Sequence, residues 1–162
     1  MEVKKFVSKK IAALQLICAL LTPVAGGAVE LVGSNASTSE HPAIKAFDGD
    51  SSGNNFWESQ LVAPITITWK QGQDQHLSSY ALFSGDSEPG RMPIAWTLEG
   101  GDGSGVWEVL DRQEKLSPWR VNEKRKFKIN PPSAHSFFRL TFPLGSVPVG
   151  EVLRIFEITP NP

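Results

Sequence analysis

The chain holds one cysteine, one tyrosine, two methionines and three histidines in 162 residues, and no block of like charge. A single cysteine, Cys18, excludes an intramolecular disulfide framework and any multi-cysteine zinc site. Sixteen Lys and Arg against seventeen Asp and Glu give a net charge of -1. That balance argues against a general nucleic-acid binder, because phosphate affinity rests on clustered cations that release counterions. His41, His76 and His135 are isolated, with no HExxH pair. Neither a GxSxG nucleophile elbow nor a phosphate-binding glycine loop is present, since Gly100–Gly105 lacks the Lys-Ser/Thr and helix that such a loop needs. Nothing in the sequence points to an enzyme. What it does contain is 14 Gly, 12 Pro, 5 Trp and 9 Phe with only 20% charged residues. This composition predicts a compact, turn-rich β domain, because disordered chains are short of aromatics.

The first 28 residues read separately. MEVKKFVSKK carries four lysines, IAALQLICALLT is a short apolar run, and PVAGGA offers small residues for a peptidase. The three-part pattern predicts a helical secretory signal peptide over 1–28, cleaved after Ala28. The apolar run falls short of the roughly 20 residues needed to cross a bilayer. Ile17 before Cys18 breaks the small-residue rule of lipoprotein signals. Removal of four lysines and one glutamate takes the formal charge to -4. The expectation is one extracytoplasmic domain over 29–162 without a cysteine or a membrane span.

From residue 29 on, alternation at period two recurs and no long helical period does. Ile65, Ile67 and Trp69 alternate with Thr66, Thr68 and Lys70, predicting a strand with one buried face. Tyr80–Phe83 reads as a strand buried on both faces. Trp96 and Leu98, the turn formers from Glu99 to Gly105, and Val106–Leu110 predict a hairpin. Phe127 with Ile129, then Phe138 to Phe142, then Val152–Ile158 supply three further strands. At least seven short strands divided by turns predict an all-β antiparallel sandwich or jelly roll.

Residues 45–59, KAFDGDSSGNNFWES, crowd oxygen donors around Gly49 and Gly53, and hard cations such as calcium favour several oxygens. An EF-hand fails because Ser59 stands where a bidentate Glu is required and no amphipathic helices flank the loop. An Asx-rich turn without metal is the alternative.

"AFDGD…NNFW", "YALFSGD", "RMPIAWTLEGGDGSGVWEVLDRQ", "FFRLTF" and "IFEIT" occur in that order over nearly the whole of 34–158. Together they resemble the discoidin, or coagulation factor 5/8 type C, family, which includes family 32 carbohydrate-binding modules. The resemblance implies a galactose-binding-like β-sandwich of jelly-roll form. It also implies a structural calcium between the Asp-Gly loop and an acid of the last strand. Carried over by position, the ligands would be Asp48, Asp50, Asn55 and Glu157, with backbone carbonyls near Ala46 or Phe47. Asn55 departs from the commoner Thr or Ser.

Trp57, Trp69, Trp96 and Trp107 are expected in the core. Trp119, in Leu-Ser-Pro-Trp-Arg, lies in a loop where an exposed indole would stack on a sugar; packing is the alternative, since the family often has an aromatic at this position. The loop candidates for glycan contact are Glu40, His41, Arg91 and Trp119. The resemblance thus implies a non-catalytic module that binds a glycan or polysaccharide. A protein-protein or cell-surface adhesion domain is the alternative on the same scaffold. Membrane binding ranks lower, because Phe56, Met92 and Trp119 form no evident spike and the acidic charge opposes anionic lipid.

Overall fold

Period-two alternation decides how the chain lays down its strands. The computed structural model describes residues 29–72 and 76–162, so the expected signal peptide and its cleavage site lie outside the described residues. Within them run β1 (Glu30–Ser34), β2 (Trp57–Gln60), β3 (Ile65–Lys70), β4 (Leu77–Phe83), β5 (Trp96–Gly101), β6 (Trp107–Gln113), β7 (Lys124–Ser133), β8 (Phe137–Phe142), β9 (Val152–Ile155) and β10 (Glu157–Asn161). Two short 3-10 turns, Ala43–Ala46 and Pro89–Arg91, complete the regular structure. No helix among the described residues is long and apolar enough to cross a membrane.

One sheet orders its strands β1-β3-β8-β5-β6, a second β10-β4-β7, and β2 pairs with β9 alone; all pairings are antiparallel. β3 buries Ile65, Ile67 and Trp69 as its alternation predicts. With Leu98, Phe138, Leu140 and Phe142 they face Leu77, Tyr80, Leu82, Ile129 and Ile158 of the second sheet in one core cluster. Each large side chain removed from water contributes about 1.5–3 kcal/mol, which is why the two apolar faces close on each other. The one tyrosine is satisfied inside: Tyr80 Oη donates to Asp111 Oδ2 at 2.6 Å and accepts from Trp96 Nε1 at 2.7 Å.

Three expectations change. Val152–Ile158 is two strands, not one: β9 pairs with β2 and β10 with β4, and Phe156 stands between them. A continuous apolar run carries no mark of the point where a chain passes from one sheet to another. Trp107 is only half-buried; Arg139 lies over its ring at 4.2 Å and is held by Glu99 at 2.8 Å. Trp119 is buried, 4% exposed, and its indole Nε1 donates to Pro93 O at 2.7 Å.

The register separates the two ends of the sandwich. β1 begins beside the end of β3, the β5-β6 hairpin and the β7-β8 turn lie with them, and β10 finishes beside the start of β4. The long loops 35–56, 84–95 and 143–151 gather at the other end.

Candidate functional site

Two neighbouring clusters form at the long-loop end. The first grows from the acidic loop between β1 and β2. Gly49 at φ 78° and Gly53 at φ 54° take the left-handed conformation that side chains disfavour, and this winds the loop back on itself. Asp48 Oδ1 accepts from the Asp50 N–H at 3.0 Å, and Asp50 Oδ1 accepts from Ser52 N–H at 3.0 Å and Ser52 Oγ at 2.7 Å. The Asp50 carboxylate therefore closes the turn, which holds its pKa below the usual value. Its carbonyl faces inward instead: Asn55 Nδ2 lies 2.6 Å from Asp50 O and 2.9 Å from both carboxylate oxygens of Asp48. Across from them, Glu157 at the start of β10 accepts the Gly49 N–H at 3.2 Å. Partial burial pushes the Glu157 carboxyl up to about 7, with Asp48 and Asp50 adding to the rise while Gly49 N–H and Lys124 oppose it.

Asp48, Asp50, Asn55 and Glu157 are thus brought together, with buried Ala46 and half-buried Phe47 leading into the loop; Phe47 rests on Trp69. Among the described residues no three His, Cys, Asp or Glu side chains are gathered to hold a metal. A cation would need the carbonyl of Asp50 and an Asn55 amide turned to present its oxygen. Hard oxygens of that kind suit calcium.

The second cluster sits on the β2-β9 pair. Glu58 Oε2 accepts from Arg154 Nη2 at 2.7 Å, Arg154 Nε at 3.1 Å and Arg91 Nη1 at 3.2 Å. Glu88 bridges the same arginines, with Arg91 Nη2 at 3.2 Å. Arg154 is nearly buried and covers Phe56 at 3.8 Å. His41 stacks on Phe56 with centroids 4.0 Å apart, so the ring is clamped between two basic side chains. Phe156 packs on Phe56 and occupies the space over Gly85, where an added Cβ would lie 2.1 Å from its ring. The Nδ1 of His41 is buried and has no hydrogen-bond partner among the described residues.

Arg91 and Glu88 keep 33% and 48% of their side chains exposed. They open onto a cavity of about 280 Å³ with Gly90 and Val149. Of the expected ligand residues, His41 and Arg91 are joined through Phe56, Arg154 and Glu58. Glu40 is exposed beside His41, and its carboxylate makes no hydrogen bond among the described residues. Trp119 is withdrawn from any sugar-stacking role, since its ring is covered by Arg125 at 4.2 Å and its N–H is committed. Sequence reasoning missed Glu58, Glu88 and Arg154. Arg154 interrupts the apolar run of β9, and a charge in such a run is the signal that was available.

At the opposite end, Asp102, Glu108 and His135 line a small cavity of about 160 Å³, with His135 Nε2 3.1 Å from Glu108 Oε2. Asp102 is held below its usual range by hydrogen bonds from Ser104, and the Glu108 side chain is 72% exposed.

No family model matches the chain. A peptide-N(4)-(N-acetyl-β-glucosaminyl)asparagine amidase of Arabidopsis thaliana is 32% identical over 105 residues, 62% of this chain. The chain spans only 14% of that protein's length. Among solved structures, a family 32 carbohydrate-binding module from Clostridium perfringens, in complex with GalNAc-β-1,3-galactose, superposes with a TM-score of 0.66 at 14% identity. That match covers 83% of this chain and 95% of the module. An F5/8 type C domain from Bacteroides fragilis superposes at 0.62 with 14% identity, covering 82% and 89%. The fold is therefore the discoidin-like, galactose-binding-like β-sandwich expected from the sequence.

Proposed function

We propose that the chain is an exported, non-catalytic glycan-binding module whose ligand sits at the long-loop end. The observation that carries this reading is the Arg91–Glu88 pair at the mouth of a cavity, backed by Glu58 and Arg154. A guanidinium donor beside a carboxylate acceptor, both held in place, suits the paired hydroxyls of a sugar. Support comes from the fold neighbour solved with a galactose-containing disaccharide, and from a partial relative whose name describes a glycan-bearing asparagine. Few contacts mean weak affinity per site, so retention on a surface would use several copies.

Calcium belongs to the same proposal as a structural ion. Asp48, Glu157, the Asp50 carbonyl and Asn55 would hold it, joining the β1-β2 loop to the last strand. When bound, the ion supplies the positive charge that these carboxylates lack.

A glycan array on the calcium-supplemented protein, compared with Arg91→Ala, tests the reading. The expected result is a galactose-type or other glycan signal reduced about tenfold or more by the loss of a charged hydrogen-bonding group. Thermal melts of the variant check that it folds. No glycan signal, together with capture of a surface protein, would instead favour the adhesion reading. Trp119→Ala is unsuited as a probe, because it would open a cavity in the core.

A further inference from the structure

We infer that the outer face of the β10-β4-β7 sheet is a second binding surface, for a linear polysaccharide bearing carboxylate or sulfate groups. Lys124, Lys126 and Lys128 alternate with Arg125, Phe127 and Ile129 along β7. All three lysines are exposed on the same face, about 6.6 Å apart at two residues per step. The register sets each beside a partner row: Lys124–Phe83–Glu157, Lys126–Ala81–Thr159 and Lys128–Ser79–Asn161. The lysines form one wall; beside them Ser79 and Ala81 are buried and Phe83 is half-buried, and Glu157, Thr159 and Asn161 line the far side. At its Lys124 end this face meets the acidic loop, where Gly49, Ser51, Lys124 and Glu157 border a cavity of about 440 Å³.

Every ion pair among the described residues is made by an arginine or a histidine; none uses a lysine. Lys126 and Lys128 are left to meet an external polyanion, while Lys124 also acts on Glu157. A membrane would need apolar side chains to insert beside the cations. The exposed large hydrophobics, Val32, Ile44, Val62, Val106, Val109, Val121, Leu144 and Val149, all lie outside these three strands. A single-stranded nucleic acid would need exposed aromatic platforms, and half-buried Phe83 is the one aromatic of these rows. Evenly spaced charge facing the edge-strand hydroxyl of Thr159 and amide of Asn161 fits an anionic glycan chain best.

This surface meets the acidic loop only at its Lys124 end and shares no residue with the Arg91–Glu88 cavity, so the two are tested separately. Binding of the full chain to alginate and to carboxyl-reduced alginate would be measured by titration calorimetry at low and physiological salt. Binding to alginate alone is expected, weakening about tenfold as salt rises from about 50 to about 200 mM. The K124Q/K126Q/K128Q variant should lose about tenfold or more, and K124R/K126R/K128R should retain affinity because it keeps the charge. Four results would overturn the inference: no alginate binding, equal binding by the Gln variant, loss in R91A rather than in the lysine variant, or equal retention by phosphatidylserine vesicles and duplex DNA.

Discussion

Around Glu58, two arginines and two carboxylates offset one another within a single cluster, whereas around Glu157 the carboxylates of Asp48 and Glu157 and the Asp50 carbonyl face an amide, a backbone N–H and one lysine. Both clusters join the β1-β2 segment to the C-terminal strands. The first is complete from the chain's own side chains and can act as a rigid floor for a ligand. In the second, carboxylates outnumber the chain's own cations. One end of the sandwich therefore combines an internally paired cluster with one that the proposed calcium would complete.

The largest expected effect breaks the self-sufficient side. Arg154→Ala leaves Glu58 nearly buried without its closest partner and uncovers Phe56, so unfolding free energy should fall by about 3–5 kcal/mol in urea titrations. A loss below about 1 kcal/mol would show that Arg91 alone satisfies Glu58. Next comes calcium. At about 100 times its Kd it should stabilise the wild type by about 2.7 kcal/mol, read as a raised Tm that chelator reverses. Identical melts with and without chelator would remove the metal, and Glu157→Gln should abolish the response.

The smallest effect concerns protons. The Glu157 carboxyl is raised from 4.5 to about 7, so the folded state binds its proton more tightly than the unfolded chain does. Its contribution is fully present below about pH 4.5 and is lost as pH rises through about 7. In chelator, Glu157→Gln should therefore gain stability over wild type on going from pH 4.5 to 8, by about 1 kcal/mol after allowance for solvent screening of a half-exposed group. A gain in the opposite direction would mean that Lys124 and Gly49 N–H already offset the neighbouring aspartates.

The sequence was legible where one face of a strand is buried. β3, β5 and β8 follow their alternation, and the β5-β6 hairpin follows its glycines. The gathering of Asp48, Asp50, Asn55 and Glu157, residues more than 100 positions apart, came from the order of family motifs, which periodicity could not have supplied. What stayed hidden depended on tertiary packing. Trp119 takes its packed alternative because it finds a carbonyl and an arginine to cover it, while Trp107, expected in the core, lands on the outer face under Arg139. Arg154 was hidden because a charge in an apolar strand shows its role only once Glu58 and Glu88 arrive from other segments.

Both ends of the described domain, the start of β1 and the finish of β10, lie opposite the long loops. A tether attached at either terminus would leave from the far side and present the Arg91–Glu88 cavity outward. Copies anchored side by side would then display their cavities in parallel, like bristles on a brush, with the lysine rows along their flanks.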